Sequence, residues 1–285
     1  MLERANTALV LDSAADLPDP AARHPNWRLV NAYVIYGDVV LRDYVDITPA
    51  EMYRRLRASR EPPRTAHASP GDFAAVFESL PGFEHVLAVT VSSEISGMFN
   101  SARLAAEETG GRVVAFDSGS VSGGVVLLAD AIQRRLDRGT TLEEVRQLVA
   151  RYRDEARFVY TLETLEYLAR GGRIGRAAAL AGSLLDTRPV LELARGTNVP
   201  LRRVRGRARS LEAVRQAFAE GTDDDAEVHV GIVHADARAD AEELARWVAE
   251  VRPATAVDYI AEFGAALGAH VGPGVVGIYW FEDGT

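Results

Sequence analysis

Hydroxyl groups gather where an apolar, β-branched run gives way to an alanine-rich segment. The run ends at Val91, and serines and a glycine follow it: Ser92, Ser93, Ser96 and Gly97. This pattern predicts a strand, a loop and a helix whose first N–H groups have no intrahelical partner. Such a loop can hold a carboxylate or a phosphate. Ser96 alone also fits a helix N-cap with no other role.

A histidine lies in a glycine-rich segment near the end of the sequence. His270 stands between Gly264 and Gly274, in the run Gly264-Ala-Ala-Leu-Gly-Ala-His-Val-Gly-Pro-Gly274. Glycines this dense predict a turn in which the backbone approaches closely, and a histidine held there can donate a hydrogen bond to an anion. The alternative is a packed histidine in a tight turn that binds nothing.

Other chemistries have weaker support in the sequence. Asp12 follows the first strand, where several phosphotransfer folds carry a nucleophile, but the sequence contains neither a Gly-x-x-x-x-Gly-Lys-Ser/Thr loop nor any lysine. It also contains no Gly-x-Ser-x-Gly elbow for a Ser-His-Asp hydrolase. The histidines are not spaced as i, i+4 pairs. We therefore predict no catalytic residue and no metal site.

Composition excludes further classes. The 285 residues include no cysteine, so disulfides, thiolate zinc sites and cysteine nucleophiles are excluded. The net charge is −9, and without a basic stripe the chain is not expected to bind nucleic acid. The N-terminus lacks the apolar core of a signal peptide, and no apolar run is long enough to span a membrane. We therefore expect a cytoplasmic protein.

The order of elements predicts an α/β protein with two domains. Strands alternate with helices through residues 1–155, which is typical of a doubly wound domain with a parallel sheet. Hairpins mix with helices in residues 156–285, which favours a mixed or antiparallel α+β domain. In a parallel sheet the carboxyl ends of the strands share one rim. The loops at Asp12, Ser93 and Asp117 are therefore expected to meet.

Several segments carry more specific predictions. Arg28 to Tyr36 is expected to be one strand, and 61–68, which contains two prolines, an extended loop. Thr140 with Glu143 predicts a capping box. The small-residue run from Ile174 to Leu185 predicts a helix.

Taken together, short motifs along nearly the whole chain resemble the DegV family of bacterial lipid-binding proteins, which includes the fatty-acid-carrying subunit of the bacterial fatty acid kinase. The order and spacing of these motifs carry the resemblance. They are Leu11 to Pro18, Thr65 to Phe73, Ser92 to Gly97, Ser101-Ala102, Asp117-Ser118, Thr164 to Leu168, Gly171 to Ile174, Arg188 to Leu191 and Ala269 to Gly274.

The resemblance implies a long-chain fatty acid buried between the two domains. By their motif positions, Thr65 and Ser96 should bind its carboxylate, His270 should lie beside them, and Arg173 should order the surrounding loops. Ser93 and Gly97 belong to the same serine loop. The sequence departs from the family pattern at Ala66-His67-Ala68 and at Met98, so His67 or backbone N–H groups are expected to replace a hydroxyl. Ile174 to Leu185 and Val121 to Leu128 are candidate walls for the alkyl chain.

The implied function is that of a carrier and not of an enzyme. It would present the fatty acid's carboxylate to a separate ATP-dependent kinase and bind the acyl phosphate made for lipid synthesis, with no cofactor and with transient contact at a membrane surface. The alternative is a stand-alone hydrolase or phosphotransferase that uses Asp12, Ser96 and His270. A scaffold protein with incidental lipid is a third hypothesis.

Overall fold

A computed structural model describes residues 1–59, 63–180, 187–224 and 228–284 of the chain. Strands and helices are numbered in chain order. The first sheet is parallel throughout, with the strand order β2-β1-β6-β7. Its strands are β1 (Thr7–Asp12), β2 (Trp27–Val30), β6 (His85–Thr90) and β7 (Val113–Asp117).

The described residues of this part of the chain form a 3-10 helix, Ser13–Ala15, and six α-helices: α1 (Pro20–Arg23), α2 (Pro49–Ser59), α3 (Pro70–Glu78), α4 (Met98–Glu107), α5 (Gly123–Leu136) and α6 (Leu142–Glu155). The capping box of α6 is formed by Thr141 and Glu144, one residue later than the predicted pair Thr140 and Glu143. The backbone of Thr140 instead exchanges two hydrogen bonds with the backbone of Leu2. Helix α5 is almost wholly buried and contacts both β1 and β6 on one side.

A small antiparallel sheet, β4-β3-β5, adjoins the first one. It contains β3 (Tyr33–Tyr36), β4 (Val39–Arg42) and β5 (Arg64–Ala66). The prediction of one strand from Arg28 to Tyr36 was wrong, because the Ser13 hydroxyl accepts from the Ala32 N–H at 2.9 Å and thereby takes the backbone out of the parallel sheet. Residues 61 and 62 of the loop expected at 61–68 lie outside the described residues, and the remainder contains β5, where Thr65 pairs with Val34.

The C-terminal sheet has six strands in the order β10-β9-β8-β13-β11-β12, of which only β11 and β12 pair in parallel. The strands are β8 (Arg157–Thr161), β9 (Thr187–Ala194), β10 (Thr197–Arg205), β11 (His229–His234), β12 (Ala256–Glu262) and β13 (Val276–Phe281). The helices are α7 (Glu166–Arg170), α8 (Arg207–Glu220), α9 (Arg238–Val251) and α10 (Ala265–Val271). The predicted α/β class, with a parallel N-terminal and a mixed C-terminal sheet, is confirmed. The boundary at residue 155 stays a prediction.

Two segments differ from their predicted form. The run after Arg173 is a 3-10 helix, Gly175–Leu180, and the rest of the predicted helix lies outside the described residues. Gly175 has φ +56° and lies against the backbone of Asn198, which prevents an α-helical start there. The glycine-rich segment forms helix α10 and only then a turn at Pro273 and Gly274, so His270 lies in a helix and not in the turn. Its Gly268 makes room for Met52 and Tyr53 of α2, and the helix ends at Gly272 with φ +71°.

The buried core is continuous between the sheets. Leu9 and Val89 of the parallel sheet belong to one apolar cluster with Tyr279 and Phe281 of the mixed sheet. Within the described ranges, every helix is too short or too polar to cross a membrane. Those ranges also hold no group of three or more histidine and acidic residues placed to bind a metal.

Candidate functional site

The centre of the candidate site is a hydrogen bond between two residues far apart in sequence. Thr65 on β5 and His270 near the end of α10 approach with Oγ1 and Nε2 at 2.8 Å. Burial, with the charge of Arg173 acting in the same direction, lowers the pKa of His270 to about 4. The imidazole is therefore neutral at neutral pH and carries one N–H. If that N–H is on Nε2, it donates to the Thr65 Oγ1, and the threonine hydroxyl remains able to donate to another acceptor.

A pocket of about 70 Å³, here called the polar pocket, surrounds this pair. Its polar lining consists of the side chains of Thr65, His67, Ser96, Arg173 and His270. Small and apolar residues complete the wall: Ala14, Ala32, Ala66, Val91, Ile95, Met98, Ala266 and Leu267. The structure thus brings together five of the seven residues predicted for ligand binding.

A second cavity, here called the apolar cavity, adjoins the polar pocket and has a volume of about 40 Å³. The two share Ile95, Arg173, Leu267 and His270 in their walls. The rest of the wall comes mainly from the C-terminal half: Val121, Phe158, Tyr160, Leu168, Leu193, Asn198, Phe263 and Val271. Of the predicted wall from Val121 to Leu128, only Val121 is among these lining residues.

Ser96 lies one residue before the N-cap of α4. The cap is Gly97, which has no side chain to close the helix, and the Ser96 Oγ accepts from the Met98 N–H at 3.4 Å. Because accepting a hydrogen bond does not use the hydroxyl proton, Ser96 can still donate to a ligand in the polar pocket. Gly97 does not line the pocket. The imidazole of His67 packs against it and occupies the space that a Cβ at Gly97 would need.

Arg173 connects two loops at the surface. Its Nε donates to the Ile95 carbonyl at 3.1 Å, and its Nη1 donates to the Gly171 carbonyl at 2.6 Å. The Asn198 Nδ2 donates to the Arg173 carbonyl oxygen at 2.8 Å and so fixes the backbone of Arg173. The guanidinium therefore ties the serine loop to the end of α7 beside both cavities.

Ser93 is placed differently from the other predicted site residues. It lines neither cavity, and its hydroxyl donates to Asp117 at 2.6 Å. Asp117 in turn pairs with Arg153, with Oδ2 and Nη1 at 3.1 Å. The predicted meeting of strand-end loops is confirmed, since Asp12 also accepts from the Val91 N–H at 2.8 Å.

Asp12 does not join a catalytic group. It is fully buried, and its two carboxylate oxygens accept from the N–H groups of Ala14 and Val91. Burial raises the pKa of Asp12 to about 7. His270 meets Thr65 through Nε2, and within the described residues its Nδ1 has no partner. The arrangement of Asp12, Ser96 and His270 that a stand-alone hydrolase would need is therefore not assembled.

Comparison with known proteins identifies the family of this chain. A family model described as "Uncharacterised protein, DegV family" matches residues 6–283. The chain belongs to the DegV family.

Three DegV relatives illustrate the likeness. A DegV domain-containing protein of Clostridium perfringens is 32% identical over 95% of this chain and 96% of its own length. A Thermotoga maritima relative named "Fatty acid-binding protein" is 30% identical over 94% of this chain and 95% of its own. A solved structure described as "Fatty Acid Binding of a DegV family Protein from Thermus thermophilus" has a TM-score of 0.90, 33% identity and coverage of 97% and 99%.

The residues that depart from the DegV pattern contact one another or their immediate neighbours. The Ala68 N–H donates to the Met98 Sδ at 3.4 Å, so the thioether holds the loop after β5 against the start of α4. The ring of His67 packs on Gly97 beside the same contact. The two departures are therefore mutually compatible, and together they keep an imidazole at the mouth of the polar pocket.

Sequence reasoning missed most of the apolar cavity. Phe158 and Tyr160 alternate along β8 and so point to the same face, where their rings stack with centroids 4.8 Å apart. The alternation was visible in the sequence, but nothing in it distinguished this face from ordinary core. Asn198, which accepts from the Tyr160 hydroxyl at 2.7 Å, gave no signal because its partners lie in other strands and loops.

Proposed function

We propose that this chain binds one long-chain fatty acid, with the carboxylate in the polar pocket and the alkyl chain in the apolar cavity. The observation that carries the proposal is that the two cavities lie side by side and share Ile95, Arg173, Leu267 and His270 in their walls. One end offers hydroxyl and imidazole donors, and the other is lined by aliphatic and aromatic side chains. The fatty-acid-binding descriptions of the Thermus and Thermotoga relatives support the same ligand class.

The energetics favour a ligand with a long tail. Burying an alkyl chain contributes about 0.8 kcal/mol per methylene, so ~14 methylenes contribute roughly 11 kcal/mol. A hydrogen bond to a charged carboxylate contributes about 1.5 to 3 kcal/mol. A cavity of about 40 Å³ has room for only a few water molecules. The alkyl chain of the ligand therefore enters by separating lining side chains such as Leu168, Leu193 and Phe263.

We further propose that the bound carboxylate is presented to a separate ATP-dependent kinase. His67 and Arg173 at the polar pocket are exposed, so a carboxylate held by Thr65 and Ser96 would lie near the surface. A carboxylate oxygen would attack the γ-phosphorus of ATP, the bond to the β-phosphate oxygen would break, and acyl phosphate and ADP would form. Transient contact with a membrane surface would supply the fatty acid.

Native mass spectrometry of the purified chain tests ligand binding. We expect a co-purifying mass of a C14 to C18 acid that is lost after organic extraction and restored by adding the acid. A protein that carries no lipid, cannot be loaded and cleaves ester substrates would support the hydrolase alternative. A protein that carries several classes of lipid, each in proportion to its abundance in the cell, would support the scaffold hypothesis.

A second experiment tests the transfer step. The loaded protein is incubated with ATP and hydroxylamine, which traps acyl phosphate as a hydroxamate. We expect no hydroxamate from the chain alone and hydroxamate after addition of a bacterial fatty acid kinase. Formation of hydroxamate by the isolated chain would contradict the carrier proposal.

A further inference from the structure

Helix α10, which carries His270, has no N-terminal cap of its own. The residue before it is Gly264, and the first N–H groups of a helix need acceptors from elsewhere. Two carboxylates from the N-terminal half provide them. Asp16 Oδ1 accepts from the Gly264 N–H at 2.8 Å, and Asp43 Oδ1 accepts from the Ala265 N–H at 3.0 Å.

Both carboxylates are themselves held in place. Asp43 accepts from the Ser13 hydroxyl at 3.1 Å, and Asp16 accepts from the Tyr44 hydroxyl at 3.1 Å. Asp16 is 4% exposed and Asp43 is fully buried. A third contact joins the same segments, since the Tyr53 hydroxyl donates to the Phe263 carbonyl at 3.1 Å.

Burying these groups is costly, and a local cap would avoid that cost. Desolvation raises the pKa of Asp43 to about 7 and that of Asp16 well above its usual range. A serine or aspartate at the position of Gly264 would be the usual local cap, but the Tyr44 ring lies 2.7 Å from the place that a Cβ there would take. What distant carboxylates add is a fixed location for the helix relative to the rest of the molecule.

The location of helix α10 matters because Thr65 lies in the small sheet β4-β3-β5, which is bonded to the same residues. Thr65 pairs with Val34 on β3, and Ala32, just before β3, donates to the Ser13 hydroxyl that bonds Asp43. The hydrogen bonds of Ser13 and Asp43 thus help to position both Thr65 and His270. Helix α10 has seven residues, so a shift at its first turn is transmitted to His270.

We propose that Asp16 and Asp43 are positioning residues that set His270 against Thr65 and thereby determine how strongly the polar pocket prefers a carboxylate to an uncharged head group. The inference rests on the proposed binding of fatty acid. It assigns neither residue a contact with the ligand.

The test compares hexadecanoic acid with hexadecan-1-ol in a fluorescent fatty-acid displacement assay. For Asp43→Ala we expect the affinity for the acid to fall by up to about tenfold and the affinity for the alcohol to stay within about threefold. Asp43→Asn should keep both affinities within about threefold of wild type, since its amide oxygen can still accept from Ala265. Asp130→Asn, which removes a buried carboxylate paired with Arg23, is the control and should leave the ratio unchanged.

A measurement without ligand separates this inference from the proposed function. NMR titration of the His270 ring should give a pKa near 4 in the wild type and a value closer to 6.5 in Asp43→Ala, because a loosened helix admits water. A wild type that binds no fatty acid would remove the proposed function while this titration still tested the positioning. Wild-type values of both the affinity ratio and the His270 pKa would overturn the inference, as would equal losses for acid and alcohol.

If Asp43→Ala does not fold, Tyr44→Phe provides the test. It removes only the hydroxyl that bonds Asp16 and the Glu262 carbonyl. We expect the acid-to-alcohol ratio to fall about threefold and the His270 pKa to rise. No change in either quantity would overturn the inference.

Discussion

The polar pocket and the apolar cavity are built from different parts of the chain. Loops and strands of the N-terminal half provide Thr65, His67 and Ser96 to the first, whereas β8, β9 and β10 provide much of the wall of the second. Helix α10 contributes to both through Leu267 and His270. The polar side chains are half-buried or exposed, while most of the apolar lining is buried.

This difference separates two tasks. In the proposed complex, transfer of methylenes out of water supplies most of the binding free energy and is insensitive to direction. Hydrogen bonds to a carboxylate supply less, but they fix its position to a fraction of an ångström, which is what a group-transfer step requires. We therefore expect changes in the apolar cavity to alter affinity for any long-chain ligand, and changes in the polar pocket to alter discrimination between head groups.

The largest effect should come from filling the apolar cavity. Val121→Phe adds a ring to a cavity of about 40 Å³ and should lower affinity for acid and alcohol alike by about a thousandfold, because the tail loses its site. Displacement titration measures this, and thermal melting checks the fold. Val39→Phe, at a position 55% exposed on β4, is the matched control. Tight binding by Val121→Phe would place the tail elsewhere.

Removing one hydroxyl from the polar pocket should have a smaller, selective effect. Thr65→Ala and Ser96→Ala should each weaken acid binding by about 1.5 to 3 kcal/mol, roughly tenfold to 150-fold, with the alcohol nearly unaffected. Ser93→Ala is the control, because the Ser93 hydroxyl bonds Asp117 outside the pocket. Unchanged acid affinity in the double variant of Thr65 and Ser96 would show that these hydroxyls are structural.

His270→Ala should distinguish binding from transfer. Since the tail dominates affinity, we expect fatty-acid binding to stay within about tenfold, corresponding to ~1.4 kcal/mol. The rate of kinase-dependent acyl phosphate formation should fall further, because the carboxylate is no longer oriented. Equal losses in the two assays would mean that the histidine acts only through binding or folding.

The smallest effect is a shift in titration. In the free chain the His270 pKa is lowered to about 4 by burial and by Arg173. A carboxylate bound beside the ring favours the imidazolium, so hexadecanoic acid should raise this pKa, whereas hexadecan-1-ol should not. The ring's NMR chemical shift followed over pH 3 to 8 measures the difference. Equal shifts with both ligands would indicate that the head group lies away from His270.

The fold was largely predictable because its signals are local. The alternation of apolar strands with helices in residues 1–155 and the mixing of hairpins with helices after them arise from signals that act over a few residues, and the structure has both. The grouping of Thr65, Ser96 and His270 was not derivable in this way. Those residues lie in three segments far apart in the chain, so only the resemblance to the DegV family connected them.

What sequence reasoning missed depends on contacts between distant segments. The break between β2 and β3 is made by the Ser13 hydroxyl, which no pattern around Ala32 reveals. Helix α10 was mistaken for a turn because its glycines are normally helix breakers. They are tolerated here because Gly264 and Gly268 leave space for Tyr44 and Tyr53 to pack closely.

The distant caps of α10 also have a consequence for folding. A seven-residue helix with several small residues is unstable alone, and its acceptors at Asp16 and Asp43 lie 248 and 222 residues earlier. Contacts at such separation form slowly, because the intervening chain must first lose much of its freedom. We therefore expect the His270 helix to become ordered late, when the first and last segments of the chain meet, so that the proposed carboxylate site is complete only in the final fold.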